Sequence, residues 1–198
     1  MKRRSEMPAV PAELRPGITN PQNWFPERPP DSEWRRLRQR VLERDDYTCY
    51  FCGHRAKKWM NIHHIKSGSD NRPQNLQTIC VACHAVLHIG HSLGFGVIEI
   101  WESKISQVEI VRQTRKGVES GKSLARIKKS LPLRRGPYPP RSLKYADKLV
   151  EQMGRSSRAY LDTPLCAVFI KMKRWQVKDG EWSSLLKKLG NRTRRVRK

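Results

Sequence analysis

Apolar residues recur along this chain in three different rhythms. From 32 to 44 they fall at Trp34, Leu37 and Val41, one side of a 3.6-residue period, with Arg35, Arg36, Arg38, Arg40 and Arg44 on the remainder. The spacing predicts a helix, with Ser32 as its N-cap and Glu33 in its first turn. From 59 to 65 the run Trp-Met-Asn-Ile-His-His-Ile reads as a strand. A turn-rich stretch, Lys66 to Pro73, follows. Leu76–Ile79 then reads as a second strand, and Val81 to Ile89 as a helix closed by Gly90 at C′. The order is strand, loop, strand, helix.

The flanks are less patterned. Residues 1–30 are proline-rich and read as an irregular arm, with Trp24 and Phe25 as its anchors to the core. Val97, Ile98, Ile100 and Trp101 open a strand or a helix. Ser123 caps a helix with Leu124, Ile127 and Leu131 on one face, and the prolines after Gly136 break the chain. Leu143–Met153 and Leu165–Trp175 read as two further helices, and 191–198 as a basic tail. The expected organisation is an arm over 1–30, a compact unit over 31–94, a basic helical region over 95–190 and the tail. The fold class expected is α+β.

Charge divides the chain in the same place. The 198 residues carry a formal charge of +23; residues 1–100 hold 15 Lys plus Arg against 10 Asp plus Glu, and residues 101–198 hold 26 against 8. The second half calls for a polyanionic partner. Arg112, Arg115, Lys116, Lys122, Arg126, Lys128, Lys129, Arg134 and Arg135 are its densest stretch and the candidate nucleic-acid contacts. No apolar run reaches the length of a membrane span, and Met1–Pro8 lacks the apolar core of a secretory signal. A reduced, cytoplasmic setting is expected.

The first half holds the chemistry. Cys49-Tyr-Phe-Cys52-Gly53 and Cys80-Val-Ala-Cys83 are two C-x-x-C pairs separated by 27 residues. Two such turns can close a tetrahedral four-thiolate shell, the usual structural zinc site. Such a site contributes folding energy. The fifth cysteine, Cys166, sits in an apolar run and reads as a small buried hydrophobe. His84 and His88 lie four apart, on one face of the helix. His63 and His64 are adjacent in a strand, so their side chains take opposite faces. One of them can bind an ion while the other meets a substrate. His54 and His91 read as ordinary structural histidines. Gly117-Val-Glu-Ser-Gly121-Lys122-Ser123 is one residue short of a phosphate-binding loop and follows no strand.

Taken together, Trp34-Arg-Arg-Leu-Arg38, Arg44-Asp-Asp-Tyr-Thr-Cys49, His63-His64-Ile65, Asn75-Leu76 and Cys80-Val-Ala-Cys83-His84 resemble the HNH endonuclease family over about residues 32–90. The resemblance implies a ββα-metal finger that hydrolyses DNA to 5′-phosphate and 3′-hydroxyl ends. It makes His64 the general base, Asn75 the residue that orients the base or braces the loop, and His84 a ligand of the catalytic cation. His63 stands where the family often has Asp, and His88 matches the third histidine of colicin-type nucleases. A three-imidazole set suits nickel, zinc or manganese better than magnesium. Double-stranded DNA is the implied partner, with RNA, a homodimer or a larger assembly as further options. The competing expectations are a zinc-stabilised nucleic-acid-binding module without turnover, or a nuclease subunit active only within an assembly.

Overall fold

A computed structural model describes residues 13–19, 29–65, 70–153, 158–162 and 164–171. The fold is mixed α+β, with three small antiparallel sheets and six α-helices among the described residues.

Helix α1 runs Asp31–Arg44 and buries Leu37, Val41 and Leu42. It starts one residue earlier than the sequence predicts. Ser32 is therefore inside the first turn and is not the cap. The cap position is Pro30, whose carbonyl accepts from Glu33 N–H and Trp34 N–H, both at 2.9 Å. At its other end α1 is fastened to the sheet beneath. Arg44 donates to the carbonyls of Pro73 (2.6 Å) and Leu76 (2.7 Å), while Asp45 Oδ2 accepts from Thr78 N–H at 2.8 Å.

Strands β2 (Met60–His64) and β3 (Leu76–Cys80) form the predicted hairpin, pairing His63 with Gln77 and His64 with Leu76. Every residue of β3 is buried. Helix α2 (Val81–Leu87) follows without a break, and the Cys80 sulfur accepts from Cys83 N–H at its start. Gly90 does not end this helix. The chain leaves helical geometry at His88 (φ −123°, ψ 52°) and re-enters it as α3, Ile89–Gly94. Gly90 lies inside α3, where a Cβ would come 2.8 Å from Cδ1 of Ile18. The glycine serves a close approach between elements, and the helix boundary is set by His88.

The approaching element is β1, Gly17–Thr19, in the segment read as an irregular arm. It pairs with β6, Arg158–Tyr160, matching Thr19 to Arg158. Trp24 and Phe25 lie outside the described residues.

The region after residue 95 is built on β4 (Ile98–Ser103), flanked by β5 (Leu133–Arg134) and β7 (Leu165–Phe169). The helix expected from Leu165 onward is a strand instead. Its unbroken apolar run arises because both faces are covered, as in any strand buried on two sides. Cys166 and Val168 join a cluster with Ile110 and Leu131, while Ala167 and Phe169 join the main core. Residues 172–198, including Trp175 and the basic tail, lie outside the described residues.

Helix α4 (Gln107–Glu119) was not foreseen, although Ser106 accepts from Glu109 N–H in the manner of a capping residue. Helix α5 (Leu124–Ser130) starts where expected, with Ser123 accepting from Arg126 N–H. The glycine-rich stretch between them is a helix–helix turn. Gly117 lies against Ile127, and Gly121 takes φ +75°. Helix α6 (Lys144–Met153) packs Tyr145, Ala146, Leu149 and Met153 into the core.

One principal hydrophobic cluster runs from Leu14 and Ile18 through Met60, Ile79 and Val86 to Ile98 and Phe169. Among the described residues no helix is long and apolar enough to cross a membrane.

Candidate metal centres

The two C-x-x-C turns meet. Cys49, Cys52, Cys80 and Cys83 are all buried, and their sulfurs lie within 4.8 Å of one another. The first turn is shaped by Gly53 at φ +73°, with Gly53 N–H donating to the Cys49 carbonyl at 3.0 Å. The strand pairing of Met60 with Cys80 brings the second turn alongside. A tetrahedral ion with Zn–S bonds of about 2.3 Å requires sulfurs about 3.8 Å apart. Cys52 Sγ and Cys80 Sγ stand at 3.7 Å, so the thiols fit such an ion. Four buried thiols cannot all ionise unaided. Hydrogen bonding from Cys49 draws the Cys52 thiol below its ordinary range, while Cys49 and Cys52 hold the Cys80 thiol well above it. Cys166 stands apart, its thiol pushed up to about 12 by burial.

The second centre lies on the other side of the hairpin. His63, His84 and His88 place one ring nitrogen each within 4.8 Å of the others. Their rings meet edge to face, with centroids 5.5 Å apart from His63 to each partner and 4.6 Å from His84 to His88. The break at His88 keeps its ring within reach although α2 has already ended. Asn61 Nδ2 sits 3.2 Å from His84 Nδ1, and Thr19 Oγ1 sits 3.1 Å from His88 Nδ1. Contacts of this kind on one ring nitrogen orient the ring for a metal on the other. The Nε2 atom of His63 is buried with no hydrogen-bond partner among the described residues. An orphaned polar atom of this kind is costly unless an ion completes it. Burial first, then the positive charge of Arg158 and the neighbouring imidazoles, holds His63 well below its ordinary pKa. The ring is therefore neutral, which is the form that ligates. The donors fit a borderline metal such as zinc or nickel.

His64 is half-buried on the opposite face of β2. Its ring stacks on Trp34 at 6.2 Å and 22°, and Nε2 lies 2.9 Å from Asn71 Oδ1. Arg158 donates to its backbone carbonyl. The Asn75 side-chain amide donates to the Asp70 carbonyl at 2.8 Å, and its backbone carbonyl accepts from Ile65 N–H at 2.7 Å. Asn75 thus ties Asp70 and Ile65 to the start of β3, and Asn71 contacts the imidazole. Sequence reasoning passed over Asn71, Trp34, Asn61, Thr19 and Arg158 as site residues. Asn71 lay in a stretch read only as a turn. Thr19 and Arg158 arrive from strands distant in sequence.

The candidate nucleic-acid contacts divide. Lys116, Lys122, Arg126, Lys129, Arg134 and Arg135 are exposed. Lys128 is paired with Glu99 and lies 4.4 Å from the Trp101 ring centroid. Arg112, itself exposed, donates to the Cys52 carbonyl at 3.2 Å, and the partly buried Arg115 to the Cys80 sulfur at 3.3 Å. These last two face the thiol centre. His54 and His91 have lowered pKa values for which burial is the first cause, His91 reaching about 4.

No family model matches this chain. The chain is similar to the Type 4 apparatus protein DotN of Legionella pneumophila, 32% identical over 82 residues. The match covers 40% of this chain and 38% of that protein.

Proposed function

We propose that this chain is a metal-dependent phosphodiester hydrolase of the HNH type, acting on double-stranded DNA. The observation that carries the reading is the convergence of the His63, His84 and His88 nitrogens within 4.8 Å, with His64 next along the same strand. A divalent cation held by these three imidazoles would supply charge neutralisation at the scissile phosphate and the departing 3′ oxygen.

His64 is the general base. With Asn71 Oδ1 accepting from Nε2–H, the neutral ring keeps its lone pair on Nδ1, the atom that takes the proton from water. The Trp34 stack and the Arg158 contact to the His64 carbonyl hold the ring and its backbone. Asn75 ties Ile65 and Asp70 to the start of β3. Four cysteines hold a structural zinc that fixes α2, and hence His84, against β2. The exposed lysines and arginines of α4, α5 and β5 bind phosphates without reading sequence.

The test is plasmid cleavage at low salt, with EDTA or with magnesium, manganese, nickel or zinc, comparing the parent with His64→Ala. Removal of a general base lowers the rate by about a hundredfold to ten-thousandfold. A folded, zinc-loaded His64→Ala that cuts as fast as the parent rules the reading out.

A second reading has its own observation, the similarity to an apparatus protein of a secretion system. In it the chain is a component of a larger assembly, and the basic face meets a partner. Absence of cleavage under every metal, with His64→Ala indistinguishable from the parent in DNA binding, would favour it. Cleavage that starts only on adding a partner would join the two.

A further inference from the structure

Arg115 lies in the stretch whose composition suggested nucleic-acid contacts, yet its guanidinium turns inward. Nη2 donates to the sulfur of Cys80 at 3.3 Å, and Arg115 is only partly exposed. One turn earlier on α4, Arg112 Nε donates to the Cys52 carbonyl at 3.2 Å. Successive turns of one helix therefore address both C-x-x-C knuckles, one from each pair.

The charge balance explains the arrangement. Four thiolates around a divalent ion leave two uncompensated negative charges, and all four sulfurs are buried. A buried, unpaired charge is strongly unfavourable. The guanidinium of Arg115 is the cation that touches a thiol of the shell, Nη2 to Cys80 Sγ at 3.3 Å, and Arg112 supports it from the Cys52 carbonyl. The Cys80 sulfur, accepting from both Arg115 and Cys83 N–H, is the one best suited to carry the excess charge.

We infer that Arg115 is an integral outer member of the four-thiolate centre, and that occupancy of this centre tightens the middle of α4 against it. The argument is independent of whether the histidine centre turns over DNA. It assigns Arg115 to metal retention and removes it from the phosphate-binding surface. With the ion gone, the anionic shell that Arg115 Nη2 faces is lost. Helix α4, held elsewhere by the buried Ile110 and Val111 and by the Gln107–Ala167 pair, then loses its polar tie to the thiol centre.

The experiment uses the full zinc-loaded chain and a competing chromogenic chelator. Arg115→Gln should weaken zinc retention at the thiol centre by about tenfold to a hundredfold, the usual cost of losing an outer partner. Arg115→Lys, which restores the charge, should recover most of it, and Lys104→Gln at an exposed position away from the centre should leave zinc retention at the parent level. Hydrogen exchange in zinc-loaded Arg115→Gln should rise over 107–119 and stay at the parent level in β2 and β3. Parent-like zinc retention and exchange in Arg115→Gln would overturn the inference. If Arg115→Gln does not fold, Arg115→Lys decides: failure of the lysine to restore retention overturns it equally. The salt dependence of DNA binding separates the roles. A phosphate contact at Arg115 would lower the slope by about one in Arg115→Gln; an unchanged slope is expected.

Discussion

The two candidate metal centres share a hairpin and differ in how they are closed. The four-thiol centre is sealed. Every ligand is buried, the knuckles are local turns, and its outer contacts come from α4. The three-histidine centre is half-open, with His84 and His88 only partly buried. Its outer contacts come from Asn61 in β2 and from Thr19 in β1, near the start of the described chain. A shell with no vacant position holds a fold together, and one that leaves space can admit a substrate. The difference predicts that damage to the first unfolds the protein while damage to the second disarms it.

The largest expected effect is on the sealed side. Cys49→Ser removes one of four ligands from a site of a kind that supplies about 10–16 kcal/mol in small zinc domains, as much as a whole domain's net stability. Loss of a cooperative melting transition, followed by circular dichroism, is expected together with loss of one equivalent of bound zinc. A cooperative melt within a few degrees of the parent would break the comparison.

Thr19→Val tests the open side. The hydroxyl 3.1 Å from His88 Nδ1 is lost with little change of shape. Affinity for cobalt or nickel, titrated with the thiol centre already filled by zinc, should fall by about tenfold to a hundredfold. The melting temperature of the zinc-only protein should hardly move. A large drop in melting temperature would show that β1 matters to the fold more than to the ion.

Cys166 gives the smallest effect and sharpens the contrast from outside. It is a thiol with no metal to share. Burial raises it from 9.0 to about 12, so the folded state keeps it neutral after the unfolded chain has begun to ionise. Its contribution to stability is complete below pH 9 and is lost as pH rises toward 12. Cys166→Ala should flatten the alkaline limb of a melting-temperature profile over that range. An unchanged limb would mean that other groups govern it.

The legible parts of this molecule were those encoded by short spacings. Two C-x-x-C pairs located the four thiols, each through the local geometry of a turn. The histidine pair four apart was found by helix spacing, although His88 reaches the site from beyond the end of α2, and the choice of His63 over His64 came from the family resemblance. What escaped depends on contacts across the chain. Thr19 and Arg158 reach the histidines only because β1 pairs with β6, and three residues of an arm carry no periodic signal. The strand at Leu165 was misread because a segment buried on both faces loses the alternation that would mark it. Gly90 was misread because a glycine near a helix end has two uses, and only the position of Ile18 distinguishes them.

The pairing of β1 with β6 also orders events in time. A chain leaving the ribosome has all four cysteines once Cys83 is out, and the knuckles can close on zinc while the rest is still being made. Thr19 has by then been exposed for a long interval without its partner strand. Its seat beside His88, and the Arg158 contact to the His64 carbonyl, must wait for residues 158–160 to be synthesised. The four-thiol site can therefore form early, while the outer contacts of the histidine site are completed late, so an interrupted translation product would carry the first without the second.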